Sequence, residues 1–413
     1  MFDFSRYGFS PARILLPDAR IDPAKWAVVA CDQFTSQPEY WQEANTLVGE
    51  SPSTLRMIYP ECYLKDAPAN PEAIHESMRE YLNGGILSRS FDGFVLVERE
   101  TASCSRIGLV GKIDLEKYDY HRDAHPLIRP TEGTVLDRLP PRAAIRTGAP
   151  LELPHVMLLA DDPEKTLIEP IYARRGEMPL LYDFDTMLGG GHLRGWQVSA
   201  QDRIDSFGSA LSALYSRCDG FLFAVGDGNH SLAAARLCWE RIRETLPESE
   251  RSGHPARFAL VEINNLHNPA LVFEPIHRAV FAEQVPLEDF IQDFSLYCRN
   301  RGMALSPCGP DTAHLTIDNR PFLIENPVNP LPLAILQPFL DEWIAAHPGC
   351  GIDYIHGTDA LQSLNAIKIQ LNRIDKHTLF DAVRRGGVLP RKSFSIGEAN
   401  EKRYYFECRR LFD

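Results

Sequence analysis

The segment Val225-Gly226-Asp227-Gly228-Asn229-His230-Ser231 gathers the groups needed to bind and process an anion. Gly226 and Gly228 permit positive φ and close approach of a ligand. Asp227 can take a proton or hold Mg²⁺, and His230 can serve as acid, base or hydrogen-bond donor. The turn stands where an apolar stretch, Phe221 to Val225, gives way to a helical pattern from Ser231 to about Thr245. Backbone N–H groups and the positive end of the helix dipole would therefore converge there on a phosphate or carboxylate. A purely structural role fits the same residues. Asp-Gly and Asn are ordinary turn residues, and Asn229 or Ser231 could simply cap the helix. The string is neither a Walker A loop nor a full G-x-G-x-x-G fingerprint, so neither of those nucleotide folds is implied.

Supporting groups lie elsewhere in the chain. Glu132, Arg138, His277-Arg278 and Arg391-Lys392 supply one carboxylate and several cations that could surround an anion at the Asp227 turn. Phosphoryl transfer asks for that set, because it is mainly positioning and charge neutralisation. Each also has a plain structural reading: Glu132 with Arg138 as an ion pair, Arg391-Lys392 as a solvated turn. Asp32 and Gln33 follow an apolar strand candidate, Trp26 to Cys31, and would line a cleft at the end of a sheet, in the same pocket. His267 and His277 sit beside apolar strands and read as half-buried structural residues. His121 and His125 have i, i+4 spacing, but no Glu stands between them as in H-E-x-x-H and Pro126 follows at once, which argues against a zinc hydrolase. Gly189-Gly190-Gly191-His192 reads as a flexible connector. No G-x-S-x-G elbow occurs, and no Cys has a His or Asn in a recognisable local pattern, so covalent catalysis ranks low.

The elements that must position these groups are mixed in type. Helical patterns run from Pro38 to Leu47, from Pro71 to Leu82 ended by Asn83-Gly84-Gly85, and from Asp202 to Cys218. Phe91 to Glu98 and Ser105 to Asp114 suit adjacent strands. The clearest unit is strand, glycine turn and helix over residues 221–245, with Leu232, Ala235, Cys238, Trp239 and Ile242 at helical spacing. Residues 120–155 form a proline-rich, locally basic stretch that reads as loop. Beyond the polar segment Pro247 to Pro255, strand candidates alternate with helices near Leu287 to Tyr297 and Leu331 to Ala346. The expectation is a multi-layered mixed α/β (α+β) protein, with one domain over 1–250 carrying the glycine turn and an α+β domain over 251–413.

Composition excludes whole classes. The chain has 413 residues, 44% hydrophobic and 24% charged, the ordinary globular mix. Its 43 Lys and Arg against 56 Asp and Glu give a net charge of −13, a field that disfavours duplex nucleic acid as partner. Only the cations of residues 120–155 would offset it. No apolar run is long enough to span a bilayer, and the N-terminus lacks a signal-peptide pattern, so a cytoplasmic location is the default expectation. Nine cysteines without a C-x-x-C pair read as reduced, mostly buried thiols.

Several strings resemble one family. Gly111-Lys112-Ile113-Asp114-Leu115-Glu116-Lys117-Tyr118-Asp119-Tyr120, Ile128-Arg129-Pro130-Thr131-Glu132-Gly133-Thr134 and Gly226-Asp227-Gly228-Asn229-His230-Ser231 look like blocks of the bacterial and archaeal family with domain of unknown function DUF1015. Asn268-Pro269-Ala270-Leu271, Pro275-Ile276-His277-Arg278, Tyr354-Ile355-His356-Gly357 and Leu389-Pro390-Arg391-Lys392-Ser393-Phe394 resemble its later blocks, so the likeness covers most of the chain. Many members carry a D-G-H-H-R form of the turn. Here Asn229 and Ser231 stand where the first His and the Arg would be. That form is similar to the phosphate-binding turn of the ParB, sulfiredoxin and free-serine-kinase group, which implies nucleotide or phosphate chemistry.

The resulting expectation is a protein that binds a nucleotide or phosphorylated small metabolite, with a small-molecule phosphotransferase as the specific reading and Mg²⁺ optional. Asp227, His230 and Glu132 would do the chemistry. Gly226, Gly228, Asn229, Ser231, Arg138, Arg278, Lys392, Asp32 and Gln33 would bind. The alternative is a non-catalytic ligand-sensing or protein-interaction module with a ParB-like core.

Overall fold

The structure is a computed structural model that describes all residues except 65–68, 102–104, 122–123, 137–138 and 413. It is mixed α/β, as the patterning predicts. The chain forms two compact units, one of Met1–Leu271 with Glu398–Asp413 and one of Val272–Gly397.

The larger unit is built on one sheet. Its strands are β1 (Phe9–Ser10), β2 (Ala12–Leu16), β4 (Arg89–Glu100), β5 (Ser105–Asp114), β6 (Ile128–Pro130), β8 (Met157–Ala160), β9 (Leu180–Asp185), β10 (His192–Val198), β11 (Phe223–Asp227) and β12 (Phe258–Asn265). Numbers 3 and 7 belong to Val28–Val29 and Leu151–Glu152, which pair outside it. The order is β6-β11-β8-β12-β5-β4-β10-β9, with β1 on β5 and β2 on β4. Pairing is antiparallel except for β6 with β11 and β8 with β12.

Alternation of side chains explains why the central strands are almost uniformly apolar. In β4, Phe94 and Leu96 face one core while Val95 and Val97 face the other. In β12, Val261 and Ile263 join the first core and Leu260 the second. A sheet buried on both faces is mostly apolar, and its few buried polar residues, such as Glu262 and Asn264 of β12, are paired. Three helices pack into the first core: α1 (Leu139–Arg146), α2 (Gln201–Tyr215) and α3 (Asn229–Thr245). Leu232, Ala235, Cys238 and Trp239 of α3 are buried, the stripe its periodicity predicts. The stretch 120–155 is not all loop: its described residues include β6, α1 and β7.

The C-terminal segment returns to this unit. Its strand Tyr404–Tyr405 pairs with β3, and Arg409–Arg410 pairs with β7. Ala30 N–H donates to Arg403 O at 2.9 Å, and the Trp26 indole donates to Phe406 O at 3.0 Å. Arg403, 3% exposed, is bound by Glu262 at 2.9 Å and by Glu407. Glu407 also accepts from Tyr182 Oη at 2.5 Å. Burial alone would lower the Arg403 pKa, but the two carboxylates outweigh it and raise it.

The second unit carries an antiparallel sheet in which Phe273–Phe281 is hydrogen-bonded to Gly351–His356, Ile367–Leu371 and Phe394–Ile396. Helix Leu287–Arg299 buries Phe290, Phe294 and Cys298 at i, i+4, i+8 spacing. Helix Pro332–Ala346 runs through Pro338. Their apolar faces meet Val280, Leu315 and Ile369 in one core.

Candidate functional site

The end of β11 is the polar mouth of the larger unit. Gly228 has φ 80, and a Cβ there would lie 3.0 Å from Val156 Cα, so both backbone and neighbour require glycine. Gly228 is also the residue that caps α3. Asn229 and Ser231 do not cap the helix: they are its first and third residues, and among the described residues no side chain caps the first turn. Among the described residues the buried Asn229 Oδ1 atom has no hydrogen-bond partner. Asp227 Oδ1 accepts from Gly228 N–H at 2.9 Å, and Oδ2 lies 3.3 Å from Lys402 Nζ. His230 Nε2 accepts from Val135 N–H at 3.2 Å, which ties the turn to the segment after β6. Parallel pairing sets Pro130 beside Val225, and Thr131 Oγ1 donates to Val225 O at 2.6 Å. Glu132 thus follows β6 at the same end of the sheet as Asp227.

A second set of groups lies alongside. Antiparallel pairing of β8 with β11 carries His155, just ahead of β8, to the end where β11 finishes. His155 Nε2 is 2.8 Å from Ser231 Oγ, and its Nδ1 is 2.7 Å from Tyr405 Oη. Tyr405 Oη in turn donates to Cys31 Sγ at 3.2 Å and accepts Cys31 N–H at 3.3 Å. These residues border a cavity of about 130 Å³ walled also by Met57, Met78, Arg142 and Arg146. Both arginines are paired, Arg142 with Glu61 and Arg146 with Glu152 at 2.6 Å.

Burial shapes the titration of these groups. It pushes the Cys31 thiol up to about 12, with the charges of Asp32 and Glu61 adding to it. It also holds the Tyr405 phenol well above its ordinary value, reinforced by Cys31 and Asp32. For Asp32 burial acts the same way, but His155, the Gln33 amide, Arg142 and Lys402 outweigh it and keep the carboxyl below its ordinary value. Gln33 Nε2 donates to Asp32 Oδ1 at 2.9 Å. Asp32 and Asp227 therefore share the field of one cation, Lys402.

Of the residues singled out from sequence, the larger unit holds Gly226, Asp227, Gly228, Asn229, His230, Ser231, Glu132, Asp32 and Gln33. Arg138 lies outside the described residues. Arg278 and Lys392 belong to the unit Val272–Gly397, where the fully buried Arg278 guanidinium donates to Gln337 at 2.9 Å and to Lys392 O at 3.0 Å. Lys402, Tyr405 and His155 escaped the sequence reading as site residues. Lys402 and Tyr405 sit in an aromatic and basic C-terminal string with no chemical motif, and His155 was one cation among several in a proline-rich stretch. Among the described residues no group of three or more His, Cys, Asp or Glu could hold a metal ion, and no helix is long and apolar enough to cross a membrane.

The model of a family described as "Protein of unknown function (DUF1015)" matches residues 12–341. Among solved structures, a conserved hypothetical protein from Pyrococcus furiosus is 12% identical, with 70% of this chain and 90% of that one covered and a TM-score of 0.35. A free serine kinase in complex with AMP is 11% identical, covering 76% and 95%, with a TM-score of 0.39. SbnI with a C-terminal truncation, from Staphylococcus aureus, is 11% identical, covering 70% and 82%, with a TM-score of 0.36. No curated protein matches the chain.

Proposed function

The chain belongs to the DUF1015 family, and we propose that it binds a nucleotide or phosphorylated small metabolite at the Gly226 to Ser231 turn and transfers its phosphoryl group to a small acceptor. One observation carries this reading: among the described residues no side chain caps the 17-residue helix α3, which begins behind a left-handed Gly228 with Lys402 Nζ 3.3 Å from Asp227. An uncapped first turn presents backbone N–H groups and the positive end of the dipole to an anion. Lys402 adds the cation that Ser231 does not supply.

Asp227 is positioned to accept the proton of an attacking hydroxyl, and Asn229 to bind the ligand through its unpartnered carbonyl oxygen. His230 and Glu132 would share in the chemistry, and Asp32 and Gln33 would help bind the ligand. Both Asp227 oxygens already have partners, Gly228 N–H and Lys402, so neutralisation of phosphate charge falls first to Lys402 and the helix.

The test is a thermal-shift panel of ATP, ADP, CTP, GTP, pyrophosphate, phosphoserine and sugar phosphates, with and without Mg²⁺. A ligand at 100 times its dissociation constant stabilises the native state by about 2.7 kcal/mol. A selective shift is expected, and it should vanish in Lys402→Met and His230→Ala. Absence of any shift across the panel refutes the reading. Turnover of the selected ligand then separates a phosphotransferase from a sensor, which binds without consuming.

A further inference from the structure

We propose that Ser231 is a nucleophile activated by His155, and that the adjoining cavity takes a small uncharged ester whose apolar group packs among Met57, Ile58, Met78, Ile145 and Leu153. The inference goes beyond the phosphate reading and does not depend on it.

Nucleophile, base and orienting group are in line. Ser231 Oγ is 2.8 Å from His155 Nε2, and His155 Nδ1 is 2.7 Å from Tyr405 Oη. In the tautomer the proposal requires, Tyr405 gives its proton to Cys31 Sγ and accepts Cys31 N–H, and its oxygen also accepts an Nδ1–H. The imidazole so oriented points the Nε2 lone pair at Ser231, the arrangement a general base needs. Ser231, His155, Tyr405 and Cys31 all line the cavity, so the serine and its base border space that a substrate can fill. Cys31 is not the nucleophile, because its thiol, pushed up to about 12, stays protonated at neutral pH. The remaining lining is mainly aliphatic and its two arginines are paired, which favours an uncharged apolar acyl group. Ser231 lies in the first turn of α3, where the helix dipole favours negative charge developing on a carbonyl oxygen.

In the reaction, Ser231 Oγ bonds to the ester carbonyl carbon and its proton passes to His155 Nε2. The bond to the alkoxy oxygen breaks, and the departing alcohol takes that proton. Water then attacks the acyl-serine, passes a proton to Nε2, and the serine recovers it as the carboxylic acid leaves. Ester and water yield acid and alcohol. Tyr405 is a positioning residue.

The probe is diisopropyl fluorophosphate, whose phosphorus is captured by a nucleophilic serine with loss of fluoride, followed by peptide mass spectrometry. A single adduct at Ser231 is expected, absent in Ser231→Ala, and formed at least about 100-fold more slowly in His155→Gln, the usual contribution of a general base. Tyr405→Phe should keep Ser231 as the labelled residue while moving the pH midpoint of the labelling rate, which a merely structural tyrosine would not do. Hydrolysis of p-nitrophenyl butyrate should fall in parallel with labelling. An unlabelled Ser231 in the folded wild-type protein overturns the proposal, as does equal labelling in wild type and folded His155→Gln. Neither result bears on thermal shifts by phosphate compounds, so the two readings fail separately.

Discussion

Replacing Arg403 with Met should destabilise the larger unit by about 3–5 kcal/mol, the usual cost of removing one partner from a buried ion pair. Arg403 is 3% exposed and its partners Glu262 and Glu407 are 1% and 0% exposed. Methionine fills much of the aliphatic volume but leaves two carboxylates in a medium of low dielectric. Tyr182 still donates to Glu407, and Asn264 Nδ2 to Glu262 at 3.0 Å, so neither carboxylate is stripped of every partner. Urea denaturation followed by tryptophan fluorescence is suited to the measurement, since Trp26, Trp41, Trp196 and Trp239 lie in this unit. At a slope of about 3 kcal/mol/M, the midpoint should fall by about 1–2 M. Adding Glu407→Gln removes one stranded charge, so the double variant should be more stable than Arg403→Met alone. A loss below about 1 kcal/mol, or a double variant no better than the single, would refute the reasoning that this ion network docks the C-terminal segment.

Other outcomes follow from the same geometry. Truncation before Lys402 should abolish the cooperative thermal transition of the larger unit, because the removed residues pair with β3 and β7; a soluble truncation with an unchanged melting profile contradicts this. Glu152 is held below its ordinary pKa: burial opposes this, but Arg146 and Arg409 prevail. Its stabilisation is therefore present above the unfolded value of about 4.3 and lost as pH falls through the folded one, so the gap between wild type and Glu152→Gln should narrow from pH 7 to pH 3 in denaturation experiments. His192 is raised above 6.5, since Asp185 and Asp183 outweigh burial. Its contribution is present below 6.5 and fades as pH rises through the folded value; an NMR titration should place the midpoint above 6.5, and Asp183→Asn should lower it.

Much of the local structure was legible because it depends on neighbours in the chain. The run Ser105 to Asp114 forms a strand with those limits, and Pro71–Asn83 is a helix closed at Gly84. The turn at Gly226 to Ser231 joins strand to helix as its glycines and the periodicity beyond them predict. The cap was less legible. Asn and Ser are good capping residues, yet Gly228 takes the position because only glycine tolerates both its φ and the nearby Val156 backbone. Residues 120–155 read as loop because proline and arginine mask short elements that tertiary burial stabilises.

By itself, then, the sequence determined most element types outside residues 120–155, together with apolar faces and the glycine turn, all encoded in spacing over a few residues. Only the tertiary structure decided which polar groups surround that turn. Ser231 and His155 are 76 residues apart, and they meet because β8 lies antiparallel beside β11. Lys402 reaches Asp227, and Tyr405 reaches His155, because the C-terminal segment pairs with β3 and is locked by Arg403. Strand pairing is a choice among many distant partners of similar apolar character, made by the packing of the whole core, and no local pattern carries it.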